Sequence, residues 1–104
     1  MEKVYIAGPI TGIENYEIDF EKVEKKLRRL NYNVINPVKL CRNLDKYETS
    51  HERYMKKCIP ALCECDFILM LPGWENSEGA TLEKLVAEKC GLSELKICML
   101  GSKW

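Results

Sequence analysis

The sequence predicts an α/β fold in which a parallel sheet of about four strands is covered by helices on both faces. Three observations carry that expectation. Short apolar runs alternate with segments of helical periodicity in the order β-α-β-α-β-α-β, which argues for right-handed crossovers between parallel strands. The apolar runs are near-continuous, as strands buried on both faces are, and do not alternate with polar residues. The 104 residues are enough for one hydrophobic core and too few for a second, so residues 1–104 read as a single domain.

The first strand is "KVYIAG", stopped by Gly8 and Pro9. Asn15 stands where a helix cap belongs. After it Tyr16, Phe20, Val23, Leu27 and Leu30 follow at spacings of four, three, four and three, one face of a helix. The second strand is "YNVINP", ended by Pro37, and residues 38–48 read as a polar loop. "TSHE", Thr49 to Glu52, has the form of a capping box. It opens a helix with Met55, Cys58, Ile59 and Leu62 facing inward, which Pro60 is expected to kink or divide. "DFILML" is the clearest buried strand, stopped by Pro72 and Gly73; a third helix follows, and "KICML" supplies a last strand.

Sheets of this kind bind ligands beyond the carboxyl ends of their strands. That rule selects three loops: Gly8 to Asn15, Pro37 onward, and Pro72 to Gly79. The third leads into the helical segment "LEKLVAEKC", Leu82 to Cys90. At about 100° per residue, Leu85, Leu82, Val86, Cys90, Ala87 and Ala80 sweep one apolar arc, and Glu83 falls inside it. A carboxylate facing inward is costly unless it is paired, hydrogen-bonded or set at a wet cleft. On the wheel alone, Glu83 either leans out to water or sits at the floor of a site. Its place one turn into a helix that opens on the crevice favours the second.

Sixteen acidic and sixteen basic side chains cancel, so no overall field recruits a nucleic acid polymer or an anionic membrane. "EKVEKKLRRL" mixes signs at helical spacing and reads as a solvated helix face. No apolar stretch approaches the roughly 18 residues of a membrane span, and the N-terminal run reads as a strand rather than a signal peptide. A cytoplasmic protein is therefore expected, and the six cysteines at 41, 58, 63, 65, 90 and 98 read as reduced thiols rather than a disulfide framework. No C-x-x-C occurs and His51 is the sole histidine, so no metal site is expected.

The stretch Gly8, Pro9, Ile10, Thr11 and Gly12 lets backbone approach a ligand, offers a hydroxyl and can turn N–H groups toward an anion. It is neither G-x-G-x-x-G nor a P-loop, and turns of this composition also occur without a ligand. Ser77 can cap the third helix or bond an anion resting at its N-terminus. Trp74 can stack on a base or sugar at the crevice mouth, or pack on its own loop as a lid. Asn76 and Gly79 lie in the same stretch.

"Y-x-A-G-P-x-T-G" from Tyr5, "CDFILMLPGW" in strand three and "P-G-W-x-N-S-x-G-A-x-x-E" from Pro72 to Glu83 together resemble the nucleoside 2-deoxyribosyltransferase-like superfamily. More narrowly, the chain looks like the DUF4406 family, and the resemblance runs from Tyr5 to about Met99. It implies a flavodoxin/Rossmann-like three-layer sandwich, and a homodimer or larger homo-oligomer in which a neighbour helps close the site. It also implies cleavage or transfer at the N-glycosidic bond of a nucleotide or nucleoside. In that chemistry a glutamate attacks the anomeric carbon and forms a covalent glycosyl-enzyme. By the family's G-x-x-x-E step that glutamate is Glu83, reached from Gly79, and Tyr5 matches the strand-one tyrosine that orients it. Ser77 stands where relatives acting on nucleoside monophosphates carry a serine and those acting on free nucleosides an aspartate. The substrate implied is a (deoxy)nucleoside 5′-monophosphate, and no metal or redox cofactor is needed.

The chain departs from the family at one position that matters. The superfamily often carries an aspartate eight residues before the strand-three Asp66, to protonate or hold the leaving base; here that residue is Cys58. A thiol of ordinary pKa, about 8.5, is a poor substitute. Asp66 begins its strand at the end away from the crevice, which leaves Asp45, Glu48 and Glu52 as candidates. Ser102 is a rough candidate for the residue a neighbour donates. Cys58 keeps open a nucleotide-binding module without turnover, and a small structural or interaction protein without ligand is a third reading.

Overall fold

The structure is a computed structural model that describes residues 2–10, 13–41 and 51–97. Its strands are β1 (Lys3–Ala7), β2 (Asn33–Ile35), β3 (Phe67–Met70) and β4 (Ser93–Leu95). Its helices are α1 (Tyr16–Arg29), α2 (Pro37–Leu40), α3 (His51–Cys63) and α4 (Glu78–Lys89), with a 3₁₀ turn at Trp74–Asn76. The strands form one all-parallel sheet in the order β2-β1-β3-β4, with Tyr5 opposite Ile35 on one side and Ile68 on the other. The chain leaves β1 toward one edge, then returns across it to build toward the other. The β1–β3 boundary is therefore the topological switch at which such sheets open a crevice.

The two-residue period of a strand sorts the core into two halves. Val4 and Ile6 of β1, with Leu69 of β3, pack on Phe20, Val23 and Leu27 of α1. Tyr5 and Ala7, with Ile68 and Met70, pack on Cys58 and Leu62 of α3 and on Ala80 and Ala87 of α4. One face of the sheet is thus covered by α1 and the other by α3 and α4, the expected three-layer α/β sandwich.

The sequence expectation needs correction at several elements. The polar loop after β2 begins with the one-turn helix α2, started by Pro37 and capped by Asn36, whose side chain accepts from the Val38 N–H at 3.0 Å. Asn15 does precede α1, but in the left-handed region at φ 57° and without a side-chain cap bond. Leu30 is the C-cap of α1 and is 53% exposed, not part of its core face. Helix α3 runs unbroken through Pro60, which sits on its exposed side, where water can take up the carbonyl that loses its partner. The last strand lies at Ser93–Leu95 rather than at 96–100; Lys96 and Ile97 follow it, and 98–100 fall outside the described residues. Thr49, Ser50, Asp45, Glu48 and Ser102 also fall outside them. No helix among the described residues is long and apolar enough to cross a membrane.

Candidate functional site

Tyr5 is the central residue of β1 and is fully buried on the α3/α4 side of the sheet. Glu83, 2% exposed, faces it from α4, and the Tyr5 hydroxyl donates a hydrogen bond to Glu83 Oε2. The composition of the helix face allows that meeting. Ala80 and Ala87, about one turn to either side of Glu83, are fully buried and small, so α4 can lie close to β1 and β3 while a longer side chain between them reaches the tyrosine. The apolar arc read from the wheel is the buried face only in part: Ala80 and Ala87 are buried with Glu83, its leucines and Cys90 are not. Leu82 is 41% exposed, Leu85 is 49% exposed and Cys90 is also at the surface. Hydropathy centres the wheel on leucine, whereas the face that packs most closely is the one with the smallest side chains.

Burial pushes the Glu83 carboxyl up to about 7, and the Tyr5 hydrogen bond pulls part of the way back. Burial, and then the Glu83 charge, hold the Tyr5 phenol well above its ordinary value. At neutral pH the pair is therefore a protonated tyrosine facing a glutamate that exchanges between acid and carboxylate. Cys58 lies beside them, fully buried, its thiol pushed up to about 12 by burial although Tyr5 opposes the shift. Tyr54, half-buried one turn before Cys58, packs on the same cluster. Burial and then the Glu83 charge keep its phenol protonated. Sequence reasoning missed Tyr54; its four-residue spacing from Cys58 on α3 was the available signal.

The loops above the pair are positioned by packing. A Cβ at Gly8 would lie 2.8 Å from Leu71 Cβ, so this glycine is required where the exits of β1 and β3 meet, before any ligand is considered. At Gly73, φ is +86° and a Cβ would sit 3.5 Å from the Pro9 ring, which puts the two exit loops side by side. Ile10 packs against the α1-side core, while Thr11 and Gly12 lie outside the described residues.

Ser77 is the N-cap of α4: its Oγ accepts from the Ala80 N–H at 3.2 Å, and its carbonyl accepts from Thr81 Oγ1 at 2.7 Å. A capping hydroxyl still carries one donor hydrogen. Gly79 falls in the first turn of α4. Trp74 is half-buried on the α3/α4 core, with the Lys84 ammonium 5.5 Å from its ring centre. With Asn76 and Ser77 it lines a groove of about 600 Å³ along the outside of α4, together with Leu82, Lys84 and Leu85. Glu83 does not line that groove. The structure thus joins Tyr5 to Glu83 inside, and gathers Trp74, Asn76 and Ser77 along the outer side of the same helix.

Asp66 lies at the opposite end of the sheet, as expected. Its Oδ2 accepts from the Lys3 N–H at 2.9 Å and its carbonyl from the Ser93 N–H at 3.1 Å, tying the starts of β1, β3 and β4 together. Glu52 is exposed near the start of α3. Among the described residues, no three His, Cys, Asp or Glu side chains gather into a group that could hold a metal ion.

Solved structures share this fold. The CMP N-glycosidase BcmB of Clostridium botulinum is 20% identical, with a TM-score of 0.61 over 91% of this chain and 67% of that one. A 2-desoxiribosyltransferase from Leishmania mexicana is 22% identical, with a TM-score of 0.68 over 92% of this chain and 63% of that one. The chain spans about two thirds of the length of either protein. No curated protein matches it. The family described as "Domain of unknown function (DUF4406)" matches residues 2–96, nearly the whole chain, and the protein belongs to that family.

Proposed function

We propose that the protein cleaves or transfers the N-glycosidic bond of a (deoxy)nucleoside 5′-monophosphate, with Glu83 as nucleophile. The observation that carries this reading is a buried carboxylate held by a tyrosine hydroxyl beside the topological switch of the sheet. The likeness in fold to a CMP N-glycosidase and a deoxyribosyltransferase supports the general kind of chemistry. A Glu83 oxygen attacks the anomeric carbon as the bond to the base nitrogen breaks, and the electron pair leaves with the base. Water or a second base then attacks the same carbon and frees the carboxylate. Tyr5 aims the nucleophile and favours its ionised form. Ser77 and the first turn of α4 hold the 5′-phosphate at a helix N-terminus, and a second copy of the chain completes the site.

The test is base release from the common ribo- and deoxyribonucleoside monophosphates, followed by chromatography. Glu83→Gln is expected to lose roughly a thousandfold or more of the parent's turnover. Calorimetric affinity for the same nucleotide should stay within about tenfold, or about 1.4 kcal/mol. Unchanged turnover in an active preparation rejects the nucleophile. Because burial holds Glu83 up to about 7, base release should rise as pH increases through that value.

Cys58 favours a second reading, a nucleotide-binding module without turnover. A thiol pushed up to about 12 does not protonate a leaving base as a carboxylic acid does. That reading expects binding without base release by the parent, and release gained by Cys58→Asp.

A further inference from the structure

Cys41 closes α2 and is half-buried; Cys58, in the middle of α3, is fully buried. Their sulfurs lie 3.3 Å apart. That is within the roughly 3–3.5 Å of a near-attack arrangement, and a disulfide would draw them to about 2.05 Å. The pair spans seventeen residues of sequence and joins the turn after β2 to the helix that carries Tyr54. Cys58 shares a buried cluster with Tyr5, against which Tyr54 and Cys41 pack, and the Glu83 charge adds to the upward push on its thiol. Its sulfur therefore belongs at once to the thiol pair and to the wall of the candidate site.

We infer that Cys41 and Cys58 form a reversible thiol-oxidation site, closed by a low-molecular-weight disulfide, whose bridge acts on the Tyr5–Glu83 pair. The first exchange occurs at Cys41, the more accessible sulfur: its thiolate attacks the small disulfide, forms a mixed disulfide and expels one small thiol. The Cys58 sulfur then attacks the Cys41 sulfur as its proton passes to the departing small thiolate, which leaves as the second small thiol. The two cysteines lose two electrons and two protons, and the small disulfide is reduced to two thiols. Closure pulls the Cys58 sulfur toward Cys41 and removes its hydrogen from the cluster around Tyr5. A second pair, Cys63 and Cys90, has sulfurs 3.7 Å apart at the exposed ends of α3 and α4. That bridge would tie the helices together away from Tyr5, so the experiment removes it.

The test uses the full chain carrying Cys63→Ser and Cys90→Ser, which keeps four of the six cysteines. The folded protein is incubated with oxidised glutathione, its remaining thiols are alkylated, and the linked peptides are mapped. The expected product joins Cys41 to Cys58, is reopened by dithiothreitol, and raises Tm by roughly 10–20 °C; Cys41→Ser abolishes both effects. Persistence of all four thiols, glutathione left on Cys41, or Cys41 joined to another cysteine overturns the site. The effect on turnover rests on the Glu83 reading. Oxidation should lower base release by about tenfold or more, with recovery on reduction. A bridge that leaves turnover unchanged overturns the link to the Tyr5–Glu83 pair. Absence of base release from the reduced parent counts against the proposed reaction, while the peptide map decides the bridge on its own.

Discussion

Glu83 combines a position that suits chemistry with one that opposes folding. Its carboxyl ionises near 4.5 in an ordinary setting and near 7 in the folded chain, so between those values the folded protein holds a proton that the unfolded chain has released. Its contribution to stability is full below about pH 4.5 and is lost as pH rises through about 7. A gap of that size corresponds to roughly 3 kcal/mol as an upper figure. Glu83→Gln keeps the shape without the charge, so its Tm should gain on the parent by more at about pH 8 than at about pH 5. An equal difference at both values, in melts run side by side, would mean that the parent's carboxylate is hydrated. Gly8 makes a different demand, one of volume. An added Cβ would meet Leu71 Cβ at 2.8 Å and Cδ1 at 2.9 Å, and the first of these is anchored to the backbone. Gly8→Ala should destabilise by about 1–3 kcal/mol in urea melts. No change would show slack between the exits of β1 and β3.

Among the elements, α1 holds the feature least visible in its own sequence. Glu24 is 4% exposed within a run that looks solvated. It accepts from Arg28 Nε at 2.8 Å and from Asn36 Nδ2 at 3.1 Å, and pairs with Lys39 Nζ at 2.9 Å. The cluster ties α1 to α2 and to the end of β2. Burial raises this carboxyl, but the bonds from Arg28, Lys39 and Asn36 more than offset it and leave it below the ordinary value. Its stabilising contribution is present above about pH 4.5 and fades as pH falls through the depressed value. Glu24→Gln should therefore cost about 1–3 kcal/mol near neutrality, with parent and variant converging in acid when denaturant melts are compared. Equal losses at both pH values would show that packing, not charge, ties the elements together.

The same contrast explains which elements could be read in advance. β1 and β3 are apolar runs stopped by Gly and Pro, and such runs have few alternatives. Glu83 stood out through its place on the helix wheel joined to the crevice rule, and Tyr5 only through the resemblance to the family's strand-one tyrosine. Glu24 was not, because Asn36 and Lys39 lie on other elements and only tertiary folding brings them near. β4 is "SEL", polar and short; its place comes from pairing with β3, which a hydropathy period does not register.

For the whole molecule, the apolar side chains that remain outside matter most. A single exposed leucine needs no explanation. Leu82 and Leu85, however, lie within one turn of α4, 41% and 49% exposed, and share a groove with Trp74, so they form a patch rather than scattered points. Glu83 occupies the inner face of the same helix, so a surface that covers the outer face also holds the helix that carries the proposed nucleophile. The covering surface we propose is a second copy of the chain, set α4 against α4 about a two-fold axis so that each copy offers the same groove. Sedimentation at about 100 µM should then give a dimer whose Tm rises with protein concentration. Leu82→Glu combined with Leu85→Glu should give a monomer whose Tm does not depend on concentration, since each dimer would bury four carboxylates without partners. A parent that sediments as a monomer under these conditions rejects the dimer outright. Base release by the double variant then separates two roles for the neighbour. If release falls together with the dimer, the second copy completes the site. If it persists in the monomer, the chain's own Tyr5–Glu83 pair suffices, and the interface serves stability alone.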